Sequence, residues 1–404
     1  MLFRSGTDSW LLTLVDDERQ ARYFLPLTLA WEDKDEERVK VLAPATLAKV
    51  RQQASVGSMA DALSDPAFCT ALVEAIGAGR TVNAVPGTLR FSPTSAFGAI
   101  VNEAPGALAV SRPLAKATNT VVTLGDRLFL KAYRRLLPGI NPEVEIGRHL
   151  TEVARFDHAV PVAGTLDYVD PNGSATTLVL LQAYVANQGD GWSFSVDYLA
   201  RDLEAGSVVA QGERPHGGYL ALVATLGTRT AQLHAALAQP TDDTAFAPEP
   251  VLPADLQRWA RRLRTELDTV CELLSARVGT LAAPGLAEII VEHRARLDAV
   301  ADAVERSTPV GRKTRLHGDY HLGQVMLAAN DFVVMDFEGP AELPFALRRA
   351  KDSPLRDVAG MLRSVDAVRH AALAQAAPDA DGRHRLGPAA QAWVEATRRS
   401  FLDA

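Results

Sequence analysis

Apolar residues follow strand-like spacing near the start of the chain. Residues 9–15 and 22–31 form two runs that are typical of strands. Over 58–76 the apolar side chains recur at near-helical spacing, which predicts a helix that ends at the following glycines. The stretch 80–112 is rich in Pro-Gly turns and predicts a boundary, so residues 1–105 are expected to form an N-terminal domain of their own.

A small sheet with one helix is predicted next. Residues 120–133 contain two short apolar and β-branched runs around a Gly-Asp turn, which indicates a β-hairpin. Asn141-Pro142 predicts a helix start, because Asn caps helix N-termini and proline is favoured in the first turn. A further apolar strand spans 176–184, and these elements together predict a small lobe over 106–185.

Long amphipathic helices dominate the second half of the chain. Apolar residues step by three or four over 253–276 and again over 286–304. Neither segment carries polar groups suited to chemistry, and both are expected to form core. The whole pattern predicts an α+β fold in which a small antiparallel sheet lobe precedes a large helical lobe over 186–404.

Polar side chains suited to chemistry gather in one part of the helical lobe. Residues 316–325 interrupt the helical pattern, and 332–339 resemble a buried strand that ends in two carboxylates. Asp319 and Asp336 are 17 residues apart, which is enough for a hairpin that returns the second acid beside the first. One acid would then accept a proton from a hydroxyl while the other holds a divalent cation.

Lys131 ends the second strand of the predicted hairpin, upstream of both acids. A strand lysine, a helix glutamate, a loop aspartate with an amide ligand and a strand-terminal aspartate form the pattern of protein-kinase-like phosphotransferases. The glutamate is Glu143 or Glu145, and Glu145 is favoured. The chain contains no Walker A sequence, which argues against a P-loop kinase.

Composition narrows the class of protein. The 404 residues carry 42 Lys+Arg against 49 Asp+Glu, and the net charge of -7 argues against nucleic-acid binding. Two cysteines are too few for a disulfide framework or a zinc cluster. The apolar run 10–15 is too short for a signal peptide core or a membrane span. We therefore expect a cytoplasmic protein that binds neither nucleic acid nor membranes.

Five segments together resemble the bacterial maltokinases, which belong to the aminoglycoside-phosphotransferase and choline-kinase group of protein-kinase-like folds. The resemblance covers most of the chain from about 110 to 400. It implies a two-lobed kinase-like fold with an extra N-terminal cap domain, ATP and Mg²⁺ as cofactors, a sugar substrate and association with a trehalose synthase. The segments are Lys131, 141–145, 317–324, 336–339 and 353–363.

The resemblance also implies roles for individual residues. Asp319 would be the catalytic base. The Mg²⁺ ligands would be Gln324, Asp336 and Glu338. The ATP contacts would come from the strand lysine with its partner, the end of the phosphate loop 116–120 and the hinge, namely Lys131, Glu145, Asn119, Thr120, Gln182 and Tyr184. The sugar contacts would come from His317, Tyr320, His321, Arg356, Asp357 and Trp393. Two alternatives stay open: Asp357 as a helix cap or internal ion-pair partner, and Trp393 as a core residue.

The acceptor implied by the resemblance is maltose, phosphorylated at its anomeric hydroxyl to give maltose 1-phosphate. The family's usual Asp-Phe-Glu-Gly-Glu-Pro is Asp-Phe-Glu-Gly-Pro-Ala at 336–341, which moves a carboxylate to Glu342. A glucosamine kinase of the same group, acting at O6, or another small-molecule kinase of the group is therefore the alternative. A metal-dependent phosphohydrolase would leave Lys131 unexplained, and a pseudokinase would leave the intact acids without a role.

Overall fold

The structure is a computed structural model that describes residues 1–6, 8–19, 21–102, 108–113, 119–206, 216–277, 289 and 292–404. The chain forms two compact units. The larger contains Met1–Leu237, Leu316–Ala350 and Leu355–Ala404, and the smaller contains Ala238–Arg315 and Lys351–Pro354. Every residue assigned above to base, metal, nucleotide or sugar lies in the larger unit.

Strands and helices are numbered in chain order. The strands are β1 (Leu2–Ser5), β2 (Asp8–Asp16), β3 (Arg22–Trp31), β4 (Thr46–Gln52), β5 (Ser55–Asp61), β6 (Thr81–Asn83), β7 (Thr88–Pro93), β8 (Val110–Ser111), β9 (Thr120–Leu124), β10 (Leu128–Ala132), β11 (Arg135–Leu136), β12 (Val162–Val169), β13 (Ala175–Ala183), β14 (Glu249–Pro250), β15 (Arg312–Lys313), β16 (Val325–Ala328) and β17 (Asp331–Val334). The helices are α1 (Glu36–Leu42), α2 (Pro66–Gly77), α3 (Phe97–Val101), α4 (Pro142–Arg148), α5 (Gly191–Ala205), α6 (Gly217–Leu237), α7 (Pro253–Arg277), α8 (Arg294–Arg306), α9 (Phe345–Arg348), α10 (Leu355–Ala376) and α11 (Ala380–Leu402). A π-helical turn, His149–Val153, continues α4.

An antiparallel sheet built from the N-terminal strands has the order β1-β2-β3-β5-β4, and β11 joins it at β3. Strands β2 and β3 confirm the two strand-like runs. Alternation turns Trp10 and Leu12 of β2 and Phe24 of β3 into a core. Phe3 stacks on Trp10 and also on Phe91 of β7, with ring centroids 5.6 Å and 5.3 Å away. The N-terminal sheet therefore shares its core with the next sheet.

The second sheet has seven antiparallel strands in the order β6-β7-β12-β13-β10-β9-β8. The predicted hairpin is confirmed, because β9 and β10 pair from Leu124 opposite Leu128 to Thr120 opposite Ala132. The strand predicted over 176–184 corresponds to β13. Strands β6 and β7 come from before residue 105, so this sheet crosses the predicted domain boundary. The division into three domains stays a prediction.

The helix predicted over 58–76 is shorter than expected. Strand β5 extends to Asp61, a 3₁₀ turn follows, and α2 begins only at Pro66. Asp65 caps α2 by accepting a hydrogen bond from the backbone N–H of Ala67. The error arose because β5 and α2 both bury apolar residues, so that their combined pattern imitates one helix. The Asp-Pro pair at the cap was the signal for the true start.

Helices α5, α6, α10 and α11 form the helical part of the larger unit. Helix α10 packs on α5 and α11, and α11 packs on α6. The hairpin predicted between the two acids is confirmed as β16 and β17, joined at Ala329 and Asn330, which both have positive φ. Two sheets and these helices make the α+β fold with a sheet lobe and a helical lobe that the sequence predicts.

The smaller unit contains α7 and α8, which pack against each other, and the two-stranded sheet of β14 and β15. Helix α7 confirms the amphipathic helix predicted over 253–276, while the one predicted over 286–304 lies partly outside the described residues. Inside this unit the buried Lys313 ammonium binds the Asp255 carboxylate at 3.0 Å. Among the described residues, none of the helices has the length and apolar content needed to cross a bilayer.

Gly360 allows α10 to lie directly on the segment that carries Asp319, because a Cβ at this position would stand 2.6 Å from the carbonyl oxygen of Tyr320. We expect Gly360→Ala to lower the free energy of unfolding by about 1–3 kcal/mol, since backbone would have to move. Gly218→Ala near the start of α6, where a Cβ meets nothing within 4 Å, is the matched control and should be neutral or stabilising by up to about 1 kcal/mol. Urea unfolding of both variants measures the difference, and equal stabilities would contradict the close approach.

Candidate active site

Lys131 stands at the centre of a cluster of carboxylates. Strand β10 turns Leu128, Leu130 and Ala132 into the core, while the Lys131 side chain reaches a site where it is only 12% exposed. Its Nζ lies 2.8 Å from Glu143 Oε2, 2.8 Å from Asp336 Oδ1 and 2.6 Å from Glu338 Oε1. The cluster thus joins a strand, a helix and the segment after β17.

Glu143 is the helix partner of Lys131, which corrects the prediction of Glu145. Asn141 caps α4 by accepting the backbone N–H of Glu143 at 2.9 Å, and the Glu143 side chain turns inward. It is buried and also accepts a 2.6 Å hydrogen bond from the Tyr133 hydroxyl. Glu145 lies two residues further along, about 200° round the helix, and binds Arg349 instead. In so short a helix, only packing decides which glutamate turns inward.

The charges of the cluster do not balance, because three carboxylates surround one ammonium. Burial raises the pKa of Glu143 to about 7, and repulsion from Asp336 and Glu338 acts in the same direction against the attraction of Lys131. Burial alone would lower the pKa of Lys131, but the surrounding carboxylates hold it above its ordinary value. For Asp336, burial acts to raise the pKa and the ammonium of Lys131 outweighs it, so the pKa is lowered. The site is an acidic pocket in which further positive charge is stabilised.

The donor set fits a hard divalent cation. Ligand oxygens of Glu143, Asp336 and Glu338 lie within 4.8 Å of one another. Gln324, predicted as a ligand, ends the 3₁₀ turn before β16, and its Nε2 donates to Asp336 Oδ2 at 3.3 Å. The structure therefore brings Gln324, Asp336 and Glu338 together, as expected of a Mg²⁺ site. Asp336 holds a left-handed backbone with φ of 64°, a conformation uncommon outside glycine.

The loop that carries Asp319 is anchored by Asp357, which supports the internal role for this residue over contact with the sugar. Asp357 is buried at the first turn of α10 and accepts the backbone N–H groups of His317 and Gly318 at 3.0 Å and 2.9 Å. His234 Nε2 donates to the same carboxylate at 3.1 Å. Burial acts to raise the pKa of Asp357, but these hydrogen bonds outweigh it and the pKa is lowered.

His317 connects the Asp319 loop to the Asp336 segment. Its Nε2 is 2.9 Å from the Met335 carbonyl oxygen, so Nε2 carries the proton, and Nδ1 accepts the backbone N–H of Asp319 at 3.4 Å. The ring is buried against Phe337, with centroids 4.8 Å apart. Tyr320 is buried too, and its hydroxyl pairs with Thr230 at 2.9 Å. Burial corrects the prediction that either side chain contacts a sugar.

Asp319 differs from its neighbours in remaining accessible. Its side chain is 43% exposed, and its Oδ2 lies 3.8 Å from Nε2 of His321. Burial lowers the pKa of His321, which keeps the imidazole neutral near pH 7. A carboxylate on an anchored loop, open to solvent and beside a neutral imidazole, is suited to accept a proton.

Of the remaining predicted residues, Asn119 and Thr120 lie near the cluster. Asn119 Nδ2 donates to Glu338 Oε1 at 3.2 Å, and the Thr120 hydroxyl accepts from Arg134. Residues 116–118 of the predicted phosphate loop lie outside the described residues. Gln182 is buried in β13, and Tyr184 donates its backbone N–H to Arg127.

Arg356 and Trp393, the last two predicted sugar contacts, differ in how deeply they are buried. Arg356 is half-buried at the start of α10, next to Asp357. Trp393 is wholly buried in α11 and packs against Tyr219, with ring centroids 5.3 Å apart. This burial supports the core alternative for Trp393 over a contact with the sugar, because the indole lies inside the helical core.

Three residues that support the site have no role assigned to them in the sequence analysis. Tyr133 and His234 complete the hydrogen bonding of Glu143 and Asp357, and Arg349 holds Glu145. Tyr133 stands two positions after Lys131, and this shared strand face was an available signal. For His234 and Arg349 the sequence holds no comparable signal, since they act over separations of 123 and 204 residues.

A cavity of about 780 Å³ opens beside Glu338. One wall comes from Asn119, Tyr133 and Asn141, and the other comes from residues 341–346, which include Glu342. The acidic cluster therefore borders a space large enough for a small polar molecule. Glu342, the displaced carboxylate noted in the sequence, lies on its lining.

Residues 110–393 match the family described as "Phosphotransferase enzyme family". The chain is similar to a glucosamine kinase of Streptacidiphilus jiangxiensis, with 32% identity over 293 residues that make up 71% of this chain and 59% of that protein. It is also similar to a glucosamine kinase of Mycolicibacterium smegmatis, with 29% identity over 71% of this chain and 64% of that protein. The match thus spans less than two thirds of either relative.

A solved structure shares the fold. The structure described as "Glucosamine kinase in complex with glucosamine, ADP and inorganic phosphate" matches all of this chain and 80% of its own, with a TM-score of 0.68 and 24% identity. The two-lobed arrangement of sheets and helices predicted from the sequence is thereby confirmed.

Asp357→Asn tests the anchoring of the Asp319 loop. An amide offers one acceptor oxygen in place of two and leaves a buried N–H without a partner, so we expect a loss of about 2–4 kcal/mol in unfolding free energy at pH 7. Because the folded pKa of Asp357 is lowered, this advantage is present above the ordinary carboxyl pKa and shrinks as pH falls below about 4.

Asp366→Asn is the control, since its partner Arg398 is at the surface and the change should stay within about 1 kcal/mol. Urea titrations of the wild type and both variants at pH 7 and pH 3 give the comparison. A D357N difference that is independent of pH would contradict the assigned ionisation.

Proposed function

The chain belongs to the phosphotransferase enzyme family, and from this we propose that it is an ATP-dependent sugar kinase. The observation that carries the proposal is the Lys131 cluster, in which one ammonium is held by Glu143 beside two carboxylates that can turn to a cation. A nucleoside triphosphate with its metal fits such a site, because the metal supplies positive charge to the carboxylates and the phosphates supply negative charge to the ammonium.

The nucleotide side of the reaction falls to Lys131 and its neighbours. The Lys131 ammonium would bind phosphate oxygens and stay oriented by Glu143, while Asn119 and Thr120 lie at the end of the predicted phosphate loop. Asp336, Glu338 and Gln324 would hold Mg²⁺. An ion held there would neutralise the negative charge that develops on the phosphates during transfer. Backbone groups of Gln182 and Tyr184 remain the proposed hinge contacts of the adenine.

Asp319 is the proposed base. Its carboxylate accepts the proton of the attacking hydroxyl as that oxygen bonds to the γ-phosphorus and the bond to the β-phosphate oxygen breaks, releasing ADP. The hydrogen bonds of Asp357 and His317 hold the backbone of the loop, so that the Asp319 carboxylate moves by rotation of its own side chain.

Glucosamine, phosphorylated at O6, is the proposed acceptor. The maltokinase resemblance favoured maltose, but the two relatives described above are glucosamine kinases. The altered sequence at 340–342 also supports an acceptor other than maltose. Glu342 offers a carboxylate to an ammonium group, and His321 and Arg356 are the predicted sugar contacts that are not buried. The association with a trehalose synthase rested on the maltokinase resemblance and has no separate support.

The choice of acceptor is tested by ADP release with Mg·ATP and glucosamine, maltose, glucose or N-acetylglucosamine in separate assays. We expect glucosamine to be the preferred acceptor because its ammonium can pair with a carboxylate, and ³¹P NMR should identify a phosphate ester at C6. N-Acetylglucosamine is the matched control, since it keeps the ring and removes the positive charge. Faster turnover of maltose than of glucosamine would overturn the acceptor and leave the kinase assignment intact.

Asp319→Asn should lower kcat by about 10²–10⁴-fold, because the amide cannot accept the hydroxyl proton. The measurement is steady-state ADP release under saturating ATP and glucosamine, with Mg·ADP binding measured separately by calorimetry. Binding should be retained, since the lost group acts on the acceptor. Unchanged kcat would remove Asp319 as the base.

Lys131→Ala should lower kcat/KM for ATP by about 10²–10³-fold, the range for removing one charged group that acts on a transferred phosphate. Lys49→Ala is the control, because this lysine is exposed on β4 and pairs only at the surface with Glu32. A phosphohydrolase would be nearly indifferent to Lys131→Ala, so an unaltered rate would favour that class over a kinase.

A further inference from the structure

Glu145 and Arg349 form a two-pronged ion pair outside the Lys131 cluster. Arg349 Nε donates to Glu145 Oε2 at 2.8 Å, and Nη2 donates to Oε1 at 2.6 Å. The Glu145 side chain is 13% exposed and that of Arg349 is 29% exposed. Bidentate, half-buried pairs of this kind fix geometry in a way that exposed lysine pairs do not. The pair therefore restrains the two elements that it joins.

The first of these elements is α4, which also carries Glu143. Residues two apart on a helix point about 200° away from each other, so Glu143 and Glu145 lie on opposite sides of α4. Glu143 reaches Lys131, while Glu145 reaches Arg349. A helix of seven residues has little stability of its own, so its orientation depends on such contacts. The same helix is held from both sides by ion pairs.

The second element is the segment that follows the predicted metal ligands. Arg348 folds this segment on itself, because its guanidinium donates to the carbonyl oxygens of Leu343 at 2.6 Å, Ala341 at 2.5 Å and Glu338 at 3.5 Å. Arg349 is the next residue and ties the folded segment to α4. Residues 338–349, the acceptor-side segment, are thus linked to α4 through Arg349.

We propose that Arg349 and Glu145 are positioning residues that couple the acceptor-side segment to the ion pair between Glu143 and Lys131. The proposal rests on the proposed function, in which Asp336 and Glu338 hold the cation of Mg·ATP. Once those two carboxylates turn to the cation, Glu143 is the carboxylate that keeps Lys131 aimed at the phosphates. The Arg349–Glu145 pair holds α4 in the place where Glu143 can do so.

Mg·ADP binding and steady-state kinetics of Arg349→Gln and Glu145→Gln test the pair. Each variant should raise the KM for ATP and the dissociation constant of Mg·ADP by about 5- to 50-fold, the usual range of coupling between sites. Circular dichroism should show folded protein. Arg148→Gln is the matched control, because Arg148 also belongs to α4 but pairs with Glu152 four residues along the chain. It should leave both constants within about twofold of the wild type, because this pair joins residues four apart in the chain and does not link α4 to the acceptor-side segment.

Rescue separates positioning from general stability. The exchange Glu145→Arg with Arg349→Glu should recover most of the lost Mg·ADP affinity, whereas a purely structural role for each side chain would make the two losses add. Arg349→Lys keeps the charge but only one prong, and should fall between the wild type and Arg349→Gln. This order of Mg·ADP affinities among wild type, Arg349→Lys and Arg349→Gln tests the pair even when the exchanged protein does not fold.

The outcomes distinguish this proposal from the proposed function. Wild-type protein that binds Mg·ADP, together with Gln variants that bind it equally well, would overturn the positioning pair alone. Wild-type protein that does not bind Mg·ADP would overturn both. Mg·ADP binding without turnover of any sugar would overturn the proposed sugar-kinase function, while weaker Mg·ADP binding by the Gln variants would still support the pair.

Discussion

The balance of charge around Lys131 is the constraint on which the rest of the site depends. One ammonium holds three carboxylates that come from α4 and from the segment after β17, and burial together with repulsion from the other two carboxylates raises the pKa of Glu143 to about 7. Such an arrangement is stable only while the ammonium stays in place or a cation takes its share. The fold must therefore deliver the groups to one point and keep them there.

Hydrogen bonds and ion pairs, more than apolar contacts, fix the positions of these groups. Asp357 fixes two backbone N–H groups of the Asp319 loop, and His317 joins this loop to Met335 beside Asp336. Apolar packing has no preferred direction, whereas a charged hydrogen bond sets both distance and angle. The helical core supplies the platform, and a few buried polar residues align the reactive groups upon it.

The N-terminal region is joined to the nucleotide side of the site by specific contacts. Strands β6 and β7 extend the sheet that contains Lys131, and β11 pairs with β3 of the first sheet. Arg134 donates to the Thr120 hydroxyl and to the Asp61 carboxylate and Phe24 carbonyl of the first sheet. The N-terminal sheet thus braces the strand that begins at the end of the predicted phosphate loop.

The sequence by itself determined the elements whose signals are local: the β9–β10 hairpin, the hairpin between the two acids and the helical lobe. It also singled out Lys131, Asp319 and Asp336, whose roles in the reaction stay predictions. Its motifs also indicated the kinase-like fold. Only the tertiary structure decided that Glu143 rather than Glu145 faces Lys131, and that Asp357 and Trp393 are buried supports. Local spacing encodes a helix or a strand, but the face that a short helix turns inward depends on partners hundreds of residues away, such as Arg349.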